Sequence, residues 1–126
     1  MKTKYPTESE LGVLQILWEH GASTVRFVND QLNKEKEVGY TTTLKIMQIM
    51  LEKEWVSRDA EGKKHIYTAT VKKENVQKKL LDRFVDATFK GSAQQLMMQL
   101  LGNRDSSKEE LDEIKELIEK IQNKKS

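Results

Sequence analysis

Two threonines, a lysine and a glutamine at helical spacing are the groups in this chain best placed to do chemistry, and that chemistry is recognition. Thr41 and Thr42 carry hydroxyls and methyls, Lys45 lies one turn on from both, and Gln48 follows three residues later. On one edge of a helix such groups bond phosphate oxygens and base edges, and threonine methyls meet thymine. A second, cationic group is Lys63-Lys64 beside Gly62, with Arg58 upstream, in a stretch that reads as the tip of a hairpin. Ammonium and guanidinium groups there suit phosphate contacts, which position a protein on a duplex without reading its sequence. Arg26 is a further candidate for phosphate, while Tyr40 suits a phosphate bond or packing equally. Each lysine taken alone reads as a solvent-facing residue; the threonine-capped helix and the basic hairpin tip together point to nucleic acid.

Catalysis finds little to work with. His20 and His65 stand in no HxxxH or HExxH frame that could hold a metal. The chain has no cysteine, hence no thiol nucleophile and no thiolate ligand. No serine sits in a GxSxG setting, and no glycine-rich phosphate loop occurs. The acids Glu109, Glu110, Asp112, Glu113 and Glu116 read as the solvated side of a helix, the first of them suited to its N-terminus. The expectation is a protein without enzymatic activity, cofactor or metal.

Residues 40–54 must position the first group. Thr43, Ile46, Met47 and Met50 form an inward stripe at helical spacing, leaving Thr41, Thr42, Leu44, Lys45 and Gln48 on the other side. Before this helix, Pro6-Thr7 with Glu10 makes a capping box that starts a first helix bearing Leu11, Val13, Leu14, Leu17 and Trp18, ended by Gly21. Ser23 or Thr24 caps a second, with Val25, Val28 and Leu32 inward and Phe27 at the edge. After the third helix, Trp55-Val56 and the run His65-Ile66-Tyr67-Thr68 flank a turn over residues 60–64, which reads as a β-hairpin. Three helices and a hairpin is the order of a winged helix.

From Lys72 onward the chain reads as helical again. Val76, Leu80, Phe84 and Phe89, with Leu81 and Val85, share one helix, which Gly91-Ser92 breaks. Ala93, Leu96, Met97, Leu100 and Leu101 form a shorter one ended by Gly102-Asn103. A capping box of Ser107 and Glu110 opens a last helix striped by Leu111, Ile114, Leu117, Ile118 and Ile121. A segment of about 50 residues rarely holds a core alone. Leu80, Phe84, Leu96, Leu100, Ile114, Leu117, Ile118 and Ile121 are therefore expected to meet a second copy of the chain. The fold class expected is mainly α with a small β-hairpin: an N-terminal winged helix-turn-helix over residues 1–71 and a C-terminal helical dimerisation region over 72–126.

Composition sets the outer bounds. Of 126 residues, 37% are apolar and 33% charged, so the core is modest and oligomerisation is in prospect. No apolar run approaches the roughly 18 to 20 residues that span a bilayer, and the N-terminal MKTKYPTESE lacks the apolar centre of a signal peptide. A cytoplasmic protein without membrane insertion is expected. The net charge is only +2, and the first 70 residues carry as many acids as bases. DNA contact must therefore rest on where charge is placed, and a winged helix that binds protein is the alternative reading.

These segments carry a resemblance. PTESELGVLQILWEHGASTVRFVNDQL, GYTTTLKIMQIMLEKEWVSRD, GKKHIYTA, FKGSAQQLMMQLL and SSKEELDEIKELIEK together resemble the penicillinase repressor family of bacterial transcription regulators, the BlaI/MecI group with its copper-responsive relatives. The resemblance covers nearly the whole chain. It implies a winged helix, a helical dimerisation region, and repression by a homodimer on a dyad-symmetric operator in double-stranded DNA. It also implies inactivation of penicillinase-type members by a membrane sensor-protease; the matching segment is Met98-Gln99-Leu100-Leu101, with Gln99-Leu100 where those members have Asn-Phe. Copper-responsive relatives use a cysteine motif near the C-terminus, which this chain lacks. Ile49 stands where penicillinase-type members carry arginine on the recognition helix, facing DNA or packing inward. Glu54 replaces the usual glycine after that helix, so a turn that a non-glycine residue tolerates is expected there.

Overall fold

The computed structural model describes residues 5–102 and 107–125. Within them the order is α1 (Glu8–His20), α2 (Val25–Leu32), α3 (Tyr40–Glu52), β1 (Val56–Glu61), β2 (Lys64–Ala69), α4 (Lys73–Phe89), α5 (Ala93–Gly102) and α6 (Lys108–Lys125). Residues 1–4, part of the stretch read above as lacking a signal peptide, and Asn103, expected to help end α5, lie outside the described residues. The fold class is as expected: helices with one antiparallel hairpin. The chain divides into two compact units, Met1–Leu81 and Asp82–Ser126, so the first half of α4 belongs with the winged helix.

Helices α1 and α2 start where a side chain provides for their free backbone N–H groups. Thr7 caps α1 with both bonds of the capping box in place, Thr7 Oγ1 accepting from Glu10 N–H and Glu10 Oε1 accepting from Thr7 N–H. Gly21, at φ 80°, ends it. Thr24 caps α2 through Phe27 N–H, while Ser23 pairs its backbone with Tyr67, N–H to carbonyl both ways at 2.9 and 2.8 Å. The apolar faces then close on one another. Val13, Leu14, Leu17, Val25, Val28, Met47, Met50, Trp55, Val56, Tyr67 and Val76 form the core, with Leu11, Trp18, Leu32 and Ile46 partly buried around it.

α3 stops at Glu52, so Glu54 follows the helix as expected, but two expectations are corrected. No threonine caps it, since Gly39 is the N-cap and Thr41 and Thr42 lie inside the first turn. Glu54 does not relax into a turn that suits it. Its N–H bonds the Leu51 carbonyl and that of Trp55 bonds Met50, a Schellman ending, with Glu54 held at φ 63°. That left-handed conformation is the one glycine occupies without strain and a residue with Cβ does not.

The hairpin is tighter than residues 60–64 suggested. Ala60 pairs with His65 and Glu61 with Lys64, which leaves a loop of Gly62 and Lys63 alone. Gly62 takes φ 65°, the positive value that the first position of a type II′ turn needs.

The second unit is built of helices capped by serines. Lys90 (φ 51°) and Gly91 (φ 84°) end α4; Ser92 Oγ then accepts from Gln95 N–H and Ser107 Oγ from Glu110 N–H. Its apolar side chains stay open. Leu117 is 58% exposed, Ile121 55%, Phe84 48%, Ile118 46% and Leu100 40%, while Leu96, Leu111 and Ile114 are half-buried. Leu80, grouped with that face by its spacing, packs against the N-terminal core. Among the described residues no helix is long and apolar enough to cross a membrane.

Candidate nucleic-acid interface

The site is set by what fixes α3. Its inner side is fully buried at Thr43, Met47 and Met50, and both its ends are tied to other helices. At the start, Asn29 of α2 donates to Thr43 Oγ1 at 2.8 Å and to the Val38 carbonyl at 3.0 Å. Asn33 adds a second clamp on the same turn, donating to the Val38 carbonyl and accepting from Val38 N–H. At the far end Lys53 Nζ meets Glu10 Oε2 of α1 at 2.9 Å. Satisfied buried polar groups of this kind fix one geometry, because every alternative leaves a donor or acceptor unpaired.

With its back so held, α3 presents Thr41, Thr42, Lys45, Gln48 and Ile49 to solvent. Ile49, which the sequence left open between two directions, is 36% exposed and faces outward. Leu44 is half-buried. Tyr40 is 41% exposed and does not simply pack: the Arg26 guanidinium lies 4.9 Å from its ring centre. This cation–π contact holds the arginine of α2 beside the first turn of α3.

The wing is positioned by its base. Tyr67 is 1% exposed and bridged to Ser23, so β2 is anchored to the turn between α1 and α2. On the hairpin Arg58, Lys63, Lys64 and His65 are exposed. Lys63, Lys64 and His65 line a cleft of about 260 Å³ together with Thr24, Arg26 and Tyr40. The structure thus brings Arg26, Tyr40, Lys63 and Lys64 to one cleft; Arg58, opposite Tyr67 in the strand register, is not among its lining residues. Acids accompany the cations on the wing, Asp59 and Glu61 both being exposed on β1. No group of three or more His, Asp or Glu that could hold a metal occurs among the described residues.

Sequence reading overlooked the residues that set the frame: Asn29, Asn33, Lys53 and the Ser23–Tyr67 rung. Asn29 alone carried a signal, as a polar residue on the face of α2 that holds Val25, Val28 and Leu32.

Comparison with known proteins extends the picture. The family model described as penicillinase repressor matches residues 6–120. The penicillinase repressor of Bacillus licheniformis is 21% identical over 119 residues, covering 94% of this chain and 93% of that protein. Among solved structures, the DNA-binding domain of the repressor BlaI superposes with a TM-score of 0.53 at 21% identity, over 60% of this chain and 93% of that one. The monomeric form of Bacillus licheniformis BlaI, in complex with the blaP half-operator, matches over the same shares with a TM-score of 0.50 at 21% identity. At these identities the solved structures speak to the fold.

Proposed function

The chain belongs to the penicillinase repressor family, and from that premise we propose that it is a DNA-binding transcriptional repressor that holds a two-fold-symmetric operator as a homodimer. The observation that carries the reading is the anchored α3, with Thr41, Thr42, Lys45, Gln48 and Ile49 all turned outward. In the major groove Lys45 would take guanine acceptors, Gln48 an adenine edge, and the threonine methyls and Ile49 thymine methyls. Arg26, Tyr40, Lys63 and Lys64 around their cleft, with Arg58 on the wing, would serve phosphates.

This division of labour suits the charge of the chain. A recognition helix with one lysine attracts DNA weakly, so affinity depends on the wing and on doubling the contacts through a dimer. Dimerisation would use Phe84, Leu96, Leu100, Ile114, Leu117, Ile118 and Ile121, whose faces the chain itself leaves open. The bond Gln99-Leu100 lies inside α5, so cleavage there by a membrane sensor-protease requires that turn of helix to open first.

Selection of bound sites from random DNA, followed by a salt titration on the best site, tests the reading. A two-fold-symmetric site whose affinity falls steeply with salt is expected, since phosphate neutralisation releases counterions. Absence of binding to any DNA pool at low salt would favour a winged helix that docks on protein.

A further inference from the structure

We propose that His65 is a proton-dependent phosphate contact of this interface, so that DNA binding takes up a proton there and tightens as pH falls. This role rests on the reading of the chain as a DNA-binding repressor, and it adds to the cleft a residue and a means of regulation. Side chains alternate along a strand, so His65 shares a face of β2 with Tyr67. Tyr67 is 1% exposed and bridged to Ser23, which makes that face the one turned toward the helices. His65, two residues nearer the turn, lines the cleft with Arg26 and Tyr40 and stays exposed. Ala60 stands opposite it in the register, so no long cross-strand side chain lies beside the ring. Among the described residues the imidazole has neither a hydrogen bond nor an ion pair.

The charges around the ring give the linkage its sign. Arg26 of α2 and Lys63 and Lys64 of the hairpin line the cleft with it, as does Tyr40 of α3, and Arg58 lies further along the hairpin. No acid lines the cleft. Asp59 and Glu61 flank Ala60 on β1 and by the same alternation take the opposite face of the hairpin. Without DNA a protonated ring meets cations only. A phosphate seated in the cleft gives it an anion to pair with and an acceptor for its N–H. Histidine is the side chain that changes charge between about pH 5 and 8, a range in which arginine and lysine keep theirs. The lysines and the arginine therefore hold phosphate throughout that range, and His65 joins them as a charge only where it is protonated. Binding that favours the protonated ring is strongest at low pH and weakens as pH rises. His20 takes no part, since it does not line the cleft and its ring stands edge-on to Phe27, centroids 5.1 Å apart.

Affinity of the full chain for the site selected from random DNA, measured at fixed salt from about pH 8 to about pH 6, tests this. In the wild type it should rise about five-fold or more over that range, about ten-fold per pH unit being the limit for one proton. The slope of log affinity against log salt should be steeper at the lower pH, by up to about one unit per protomer. His65→Gln should flatten the pH profile and make the two slopes equal, and His65→Lys should hold the low-pH affinity throughout. His20→Gln should leave the rise intact. A flat wild-type profile on a site that binds, a rise that survives His65→Gln, or a rise lost with His20→Gln overturns the assignment and leaves the repressor reading standing. No binding to DNA at any pH overturns that reading and the assignment with it. Should His65→Gln fail to fold, the wild-type salt slopes and His65→Lys decide the matter: equal slopes at the two pH values, or a rise kept by His65→Lys, remove the contact.

Discussion

Lys53 Nζ lies 2.9 Å from Glu10 Oε2, joining the C-cap of α3 to the first turn of α1 across 43 residues of sequence. The carboxylate is 4% exposed and the ammonium 24%, so water screens the pair little. The same carboxylate accepts Thr7 N–H through its other oxygen, at 2.8 Å. One side chain thus closes the capping box of α1 and fixes the far end of α3.

This predicts a pH dependence. Burial, the largest single influence, pushes the Glu10 carboxyl up. The Thr7 backbone bond, the Lys53 hydrogen bond and charge, and the Thr7 hydroxyl together bring it below its ordinary 4.5. A carboxyl lowered on folding adds stability that is fully present above its unfolded value and is lost as pH falls through the folded one. Urea midpoints of wild type and Glu10→Gln should therefore differ most near neutral pH and converge well below pH 4.5. Lys53→Met should cost about 2 kcal/mol at neutral pH, the usual worth of a charge-assisted bond whose loss strands a buried partner. A difference between wild type and Glu10→Gln that held constant down to acid pH would remove Glu10 as the titrating group.

Glu54 leads to a stabilising substitution. Its φ of 63° closes α3 in the conformation that disfavours any Cβ. The bond it accepts from Thr70 Oγ1, at 2.7 Å, uses its backbone carbonyl and survives truncation. Glu54→Gly should raise stability by about 1 kcal/mol, the strain relieved outweighing the extra freedom of the unfolded glycine. Chemical denaturation at neutral pH reads this directly, and a lowered midpoint would show that side-chain contacts of Glu54 outweigh the strain.

Asn29 is expected to matter for two properties at once. It is 6% exposed and joins the start of α3 to α2 through Thr43, itself fully buried. Asn29→Ala leaves Thr43 without that donor and opens a small void, a loss of about 2–3 kcal/mol. Operator affinity should fall as well, at temperatures where the variant is still folded, because α3 is then free to tilt. Calorimetric melting together with a DNA titration at low temperature separates the two effects.

Base and phosphate contacts should part company in salt. Lys45→Ala should cost about 1–3 kcal/mol on the selected operator and relax preference near one base pair. Lys63→Ala should weaken all sequences alike and lower the slope of log affinity against log salt by about one unit. Titrations on operator and scrambled DNA at several salt concentrations check both. Variants that both bind as wild type would remove the assignment of these two residues.

What the sequence made legible was local. Thr7 with Glu10, Gly21, and the stripe Thr43, Met47, Met50 depend on neighbours within two turns, and periodicity and capping chemistry read them directly. Glu10 and Lys53, or Ser23 and Tyr67, meet only once the chain has folded back, and neither partner's surroundings announce the other. Glu54 failed for a different reason. Residue preference argues against a left-handed turn there, but the Schellman bonds from Glu54 and Trp55 and the burial of Trp55 outweigh a penalty of about 1–2 kcal/mol. For the interface, the outward residues of α3 followed from the inward stripe. The Arg26–Tyr40 contact did not, since it needs the distance between two helices.

The apolar faces of α5 and α6 give the last prediction. Leu117, Ile118 and Ile121 are each about half exposed, on a helix whose other residues are nearly all charged or polar. Met97 and Leu100 of α5 are likewise exposed, and with Leu101, Ile114, Leu117 and Ile118 they line a groove of about 330 Å³. Covering one leucine or isoleucine fully is worth roughly 1.5–3 kcal/mol, so a partner that closed this groove would gain several such increments. A second copy brings the same groove and the same stripe, and its two-fold axis matches a two-fold-symmetric operator. Sedimentation should then show a dimer at micromolar concentration. Leu117→Glu or Ile121→Glu should shift it to monomer, since an uncompensated carboxylate in an apolar contact costs several kcal/mol, while the N-terminal unit keeps its fold. Operator affinity of either variant should fall to that of a half-site. A monomer in the wild type at micromolar concentration, unchanged by either substitution, would leave α6 to some other partner and the operator to single winged helices.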